Sequence, residues 1–279
     1  MLQPCRVACV RYLNTAPLIE GLEVLDTVKL LPKVPADIAG AVRSGDADIG
    51  LASVVDGATP GLTLLGAGMI GCDGPTHTVR IFSSVPPEQI TRLHADADSH
   101  TSVVLARVLL ARRFGTTVSI VPHKAGADDS PEAVLLIGDK VVTNPPAAAR
   151  YPHQLDLGDA WHAWTGLPFV YAAWMCRDGE ETSPRITTGA AILDRQRRHN
   201  ATRLEWIIQK RAAAARWPTD LARTYLTELL RYDFDGRARA GLDRFIAEAQ
   251  ALGVLSSGTL RYAPGIAPHA TTTATPAAT

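Results

Sequence analysis

The sequence predicts an α/β fold of two lobes with a ligand cleft between them. Three features carry that prediction. Residues 1–55 alternate strand, helix, strand, helix, strand, which argues for a parallel sheet covered by helices. A second α/β unit follows after the Pro86-Pro87 break. An apolar strand near 169–176 then returns the chain to the first unit, and helices complete it.

The elements follow in order. "CRVACV" (5–10) reads as a strand. "NTAPLIEGL" reads as a short helix, with Pro17 in its first turn and Gly21 near its end, positions that suit both residues. "TVKLLPKV" (27–34) is strand-like. In "PADIAGAVRSG" (35–45), Ile38, Ala39 and Val42 share one helical face between Pro35 and Gly45. "ADIGLAS" (47–53) is an apolar run of strand length, and "GMIGCDG" reads as a tight loop before the strand "VRIFSS" (79–84). "SHTSVVLARVLLARRFG" (99–115) is a long amphipathic helix ending at Gly115; "TVSIVP" (117–122) and "AVLLIGDKVV" (133–142) are strands. The last begins as a continuous apolar run, as in a strand buried on both faces. Residues 151–168 read as loop and helix, 169–176 as strand, and 188–254 as helices with apolar stripes such as Leu242, Phe245, Ile246 and Ala249. Crossovers near 84–88 and 172–178 give lobe 1 as residues 1–84 plus 177–262 and lobe 2 as 85–176. The Ala/Thr/Pro-rich stretch 263–279 is expected to be disordered.

Composition narrows the function. The 279 residues are 46% hydrophobic and 20% charged, with 28 basic and 28 acidic side chains. A chain of zero net charge carries no electrostatic argument for nucleic acid or an acidic membrane. No run reaches the ~18 apolar residues of a membrane span, and no charged start precedes an apolar run of a secretory signal. Cytoplasm is the expected setting. Cys5, Cys9, Cys72 and Cys176 are scattered, without CxxC, and read as buried small hydrophobes. No metal site is expected from these spacings. No feature speaks to oligomeric state.

Ligands of α/β sheets sit off the carboxyl ends of strands. That rule selects Asn14-Thr15, Ser53, the 72–78 loop with Thr78, and Gly138-Asp139. Asn14 or Thr15 caps the short helix, or holds a carboxylate, and the two readings are compatible. Ser99, Thr101 and Ser102 open the long helix, where free N–H groups make an anion site. His77 and Arg80 add positive charge near Thr78, and a lone histidine is a candidate base. Asp139 is either a ligand contact or a cap. Three tryptophans within 156–174 form core or an aromatic wall. There is no GxGxxG before a helix, no GxSxG and no HExxH. The residues alone therefore describe a two-lobed α/β protein for a small anionic ligand, with catalysis and pure binding both open.

The stretches "VRYLNTAPLIEGL", "GCDGPTHTVRIFSSVP", "HTSVVLARVLL", "AVLLIGDKV" and "DLGDAWHAWTGLPFVYAAW" resemble, in order, the chorismate dehydratase family of the futalosine route to menaquinone. The resemblance implies a type II periplasmic-binding-protein-like fold in a cytoplasmic enzyme. It implies conversion of chorismate to 3-[(1-carboxyvinyl)oxy]benzoate and water, without nicotinamide, flavin or metal. It implies Asn14 beside the reacting ring and Thr78 where relatives often carry Ser. Thr15, Ser53, Thr101, Ser102, Gly138 and Asp139 would hold the substrate, Thr101 and Ser102 cradling a carboxylate. Relatives often read Ser-Arg-Thr-Ser where this chain has Ser99-His100-Thr101-Ser102. Two other readings stand beside it: a cytoplasmic small-anion binding protein on the same fold, and the related 1,4-dihydroxy-6-naphthoate synthase, which the "YLNTAPL" opening fits less well.

Overall fold

The computed structural model describes residues 3–96, 99–123 and 131–265. The chain begins with β1 (Cys5–Cys9), a single 3-10 turn (Leu13–Thr15), α1 (Ala16–Ile19), β2 (Val28–Pro32), α2 (Pro35–Ser44), β3 (Ile49–Ser53) and α3 (Val54–Gly57). Pro35 opens α2 after an extended Val34, and left-handed Gly45 closes it (φ 79°), as the steric rules for those residues require. Ile38, Ala39 and Val42 are buried along the helix. Fully burying each Ile or Val is worth about 1.5–3 kcal/mol.

The chain continues through β4 (Leu62–Cys72), β5 (Val79–Ser83), β6 (Arg92–Asp96), α4 (His100–Phe114), β7 (Ser119–His123), β8 (Ala133–Ile137), α5 (Lys140–Thr143), β9 (His153–Asp156) and α6 (Leu157–Thr165). It ends with β10 (Phe169–Arg177), α7 (Pro184–Ala201), α8 (Leu204–Arg211), α9 (Thr219–Thr224), a π-helical turn (Tyr225–Leu229), β11 (Leu230–Arg231), α10 (Gly236–Ala251) and β12 (Arg261–Tyr262).

Two sheets result. The first has seven strands in the order β11-β4-β10-β3-β1-β2, with β12 also on β4; the second has five, β7-β6-β8-β5-β9. In the first, β1 pairs in parallel with β2 and β3, while β10 runs antiparallel between β3 and β4. The core between helices and sheets includes an aromatic cluster. Trp161 meets Phe169 edge-on at 5.5 Å, and Phe169 meets Phe245 at 4.9 Å.

Sheet membership differs from the lobe boundaries read at 84 and 176. Val79–Ser83 bonds to β8 and β9 and so belongs to the second sheet, while Phe169–Arg177 lies between β3 and β4 in the first. The crossings are therefore at 73–78 and 157–168. An apolar strand looks the same in sequence whichever sheet completes its hydrogen bonds. The tight loop expected at 68–74 is mostly strand: β4 runs to Cys72. A Cβ at Gly71 would fall 2.5 Å from the Phe169 carbonyl oxygen, so this glycine permits the close approach of β4 and β10 rather than a turn. His153–Asp156 is a strand where loop and helix were expected, and Arg92–Asp96 is a further strand in a stretch to which the sequence reading assigned no element. From 266 onward, the stretch expected to be disordered lies outside the described residues. Among the described residues, no helix is long and apolar enough to cross a membrane.

Candidate functional site

A pocket of about 90 Å³ lies between the sheets. Strand ends build it, as the topology dictates. Asn14 follows β1, Ser53 ends β3, Thr78 leads into β5, Gly138 follows β8, and Ser99, Thr101 and Ser102 open α4. Two expected members are elsewhere. Thr15 is fully buried and donates its hydroxyl to Asn14 Oδ1 at 3.1 Å. Asp139 faces an outer pocket and accepts a hydrogen bond from Trp217 Nε1 at 3.0 Å.

The expected side-chain caps at Thr15, Ser99 and Asp139 do not form: each precedes its helix without bonding it through its side chain. The first N–H groups of α4 have no partner within the helix, and Thr101 and Ser102 of this turn line the pocket. Thr101 Oγ1 is buried there with no hydrogen-bond partner. A buried hydroxyl left so costs about 1–3 kcal/mol, which an anion accepting its hydrogen bond would recover. His100 does not share this role: its Nδ1 lies 3.0 Å from Asp56 Oδ1 in α3, outside the pocket lining.

Thr78 is set by the first crossing. His77 has φ 64°, and Thr78 N–H donates to the Thr76 carbonyl at 2.7 Å, a three-residue γ-turn that is rare for a side-chain-bearing residue. The Asp156 carboxylate holds this turn by accepting from Thr76 N–H at 3.0 Å and His77 N–H at 2.6 Å, and it also caps α6. The turn aims the Thr78 hydroxyl across the cleft to Tyr225 Oη, 2.7 Å away. The Asn14 side chain lies near the same phenol and, after Thr78, favours its ionised form against burial. Tyr225 stacks on Trp217 with centroids 4.8 Å apart. Burial pushes its phenol well above the usual range, against Thr78 and then Asn14, so it stays neutral.

Tyr12, Tyr171 and Tyr225 supply the aromatic surface of the pocket. The tryptophans considered for a ring wall do not: Trp161 and Trp174 are fully buried core. Gly138 is left-handed (φ 63°), and the Tyr12 ring lies over it. Tyr225 went unread in the sequence because nothing in its helical stretch marks the π-turn that carries it; such turns recur at functional sites.

Among the described residues, the lining contains no Asp, Glu, His, Lys, Arg or Cys. His77 lies outside it, its ring 6.5 Å from Trp217, and burial and then Arg80 push its imidazole below the ordinary value. Burial raises the Asp139 carboxyl, opposed by the Trp217 and Leu13 N–H groups. All four cysteines are free and buried, and burial pushes the Cys72 thiol up to about 12. What remains is a largely apolar pocket that carries hydroxyls, one carboxamide, three phenols and the start of a helix. It is suited to holding a small anionic ring by hydrogen bonds.

Two sheets with a polar pocket between their strand ends define the periplasmic-binding-protein class of fold. The solved structures agree. A protein from Archaeoglobus fulgidus superposes with a TM-score of 0.67 at 14% identity, covering 90% of this chain and 98% of that one. The periplasmic aliphatic sulphonate binding protein of Escherichia coli gives 0.61 at 12% identity, covering 92% and 90%. The family model described as menaquinone biosynthesis matches residues 5–251, and the chain belongs to that family. A curated relative, the chorismate dehydratase of Thermus thermophilus, is 28% identical over 271 residues, 91% of this chain and 97% of its own. The resemblance carried by "YLNTAPL" and the other motifs is thereby borne out.

Proposed function

We propose that the protein is a cytoplasmic carbon–oxygen lyase that converts chorismate to 3-[(1-carboxyvinyl)oxy]benzoate and water in the futalosine route. The observation that supports it is a pocket between the lobes in which hydroxyls and one carboxamide sit on an apolar lining, with no Asp, Glu, His, Lys, Arg or Cys among the described lining residues. Loss of the C3 proton and the C4 hydroxyl gives a benzene ring, so aromatisation supplies much of the driving force. Positioning and stabilisation of developing charge remain for the protein. The start of α4, with Thr101 and Ser102, cradles one carboxylate; a helix N-terminus contributes about 0.3–1 kcal/mol to such an ion, more when partly buried. Ser53 and Gly138 wall the ring, and Thr15 orients Asn14. Asn14, Thr78 and Tyr225 form one polar group facing the departing hydroxyl. Asp139 acts from behind the pocket, holding Trp217 under Tyr225. With no side-chain base in place, a substrate carboxylate takes the C3 proton.

The test is to incubate purified protein with chorismate, separate the products by chromatography, and measure binding by calorimetry in parallel. The aromatic ether is expected. Tight binding without the ether would instead support the small-anion binding reading.

A further inference from the structure

We propose that the open pocket outside the cleft is a docking vestibule for small dicarboxylates, in which Arg11 and Arg216 take the ligand from solvent before it passes Tyr12. The vestibule holds about 520 Å³. It shares the Tyr12 ring with the inner pocket, and its Leu13 and Asp139 adjoin Asn14 and Gly138 of the inner wall.

Its charges are not all matched. Buried Glu20 accepts from Lys210 Nζ at 2.5 Å and from Arg211 Nε at 2.5 Å. Glu23 accepts from Gly21 N–H at 3.1 Å and from Arg211 at 3.4 Å, and Asp139 is engaged by Trp217. Arg11 and Arg216 are exposed, and among the described residues no ion pair or side-chain hydrogen bond is formed by either. Two cations therefore stand without an ion-pair partner among the described residues, in a pocket that Glu20, Glu23 and Asp139 also line, where they can raise the local concentration of an anion.

The backbone at Arg216 is the second observation. Arg216 N–H donates to the Ala213 carbonyl at 3.0 Å and Trp217 N–H to the Ala212 carbonyl at 2.9 Å. This is the Schellman closure, whose left-handed position is usually glycine. Here it is Arg216, with φ 60°. An arginine kept where glycine is the relaxed choice points to work done by its side chain. That side chain lines the vestibule.

The inference uses the dehydratase reading only to choose the dicarboxylate. Stopped-flow tryptophan fluorescence on mixing with chorismate measures the association rate at several salt concentrations. Arg11→Gln and Arg216→Gln are each expected to slow association about three- to tenfold at low salt and to flatten its salt dependence. Arg92→Gln, which removes the same charge from a strand lining neither pocket, is expected to do neither. Arg216→Gly should slow association equally while raising the melting temperature by about 2–4 °C. Rates within about twofold of wild type, with an unchanged salt slope, in both Gln variants would overturn the vestibule. Wild-type protein that binds chorismate without converting it contradicts the dehydratase reading and leaves this comparison decisive. Wild-type protein that does not bind chorismate overturns both.

Discussion

The Thr78 hydroxyl and the Tyr225 phenol lie 2.7 Å apart across the cleft, joining positions 147 residues distant in sequence. One belongs to the crossing into the second sheet and the other to the C-terminal π-turn. The bond therefore spans the two lobes, and with Asn14 it sets the polar end of the pocket. Its loss has two separable consequences.

Tyr225→Phe keeps the stacking on Trp217 but leaves the buried Thr78 hydroxyl without its partner and takes the phenol hydroxyl away from Asn14. Stability should fall by about 1–2 kcal/mol, read from urea unfolding. Turnover should fall further, by about 10–100-fold, because the group facing the departing hydroxyl loses its order. Thr78→Ser, which keeps the hydroxyl, should retain most of the rate. Thr78→Val should behave like Tyr225→Phe.

Thr101→Val tests the helix-terminal anion cradle. The Thr101 hydroxyl is buried without a partner, so removing it should leave the free protein as stable or slightly more stable. The same change should weaken chorismate binding about tenfold in calorimetry. A stability loss with unchanged affinity would place the hydroxyl in the core rather than in the site.

Asn14→Ala should lower kcat by about 100-fold or more while costing only about 1 kcal/mol of stability. It loses the hydrogen bond from the Thr15 hydroxyl and its place near the Tyr225 phenol, so the comparison of kinetics with unfolding separates catalysis from folding. Wild-type rates in this variant would remove Asn14 from the chemistry.

Glu20 gives a pH dependence to stability away from the pocket. Burial raises its carboxyl, but Lys210 and Arg211 outweigh burial, and the net shift is downward from 4.5. A depressed carboxyl stabilises the fold above its unfolded pKa, and that contribution is lost as pH falls through the folded value. Acid unfolding below about pH 4.5 should therefore weaken in its pH dependence in Glu20→Gln. That variant should also lose about 2–4 kcal/mol at neutral pH, since two cations lose their buried counter-ion.

The opening β-α-β-α-β run was legible because Pro35, Gly45 and the Ile38–Val42 face mark one helix between two apolar strands. The rule that ligands sit off strand ends then brought Asn14, Ser53, Thr78 and Gly138 to one pocket before any side-chain geometry was known. Glycines hid β4: Gly66, Gly68 and Gly71 signal turns, yet Gly71 serves a close strand approach. The runs "VRIFS" and "FVYAAWMCR" carry no mark of which sheet they join, so the lobe boundaries shifted. Tyr225 and Trp217 were invisible because their meaning lies in partners far along the chain, Thr78 and Asp139. Caps failed for a related reason. Thr15, Ser99 and Asp139 read as caps in the sequence, but none of their side chains bonds the helix that follows.

The central claim is that this pocket dehydrates its substrate without a side-chain base. Rapid-quench measurement of single-turnover rates with chorismate from about pH 4.5 to pH 9 tests it most directly, because such profiles report the ionisation of essential groups. Burial keeps the Tyr171 and Tyr225 phenols neutral across that range and the substrate carboxylates stay largely ionised, so a level profile within about twofold is predicted, unchanged in His77→Ala. A limb with a midpoint below the ordinary histidine value of about 6.5, where burial and Arg80 place the His77 imidazole, and abolished by His77→Ala, would contradict it.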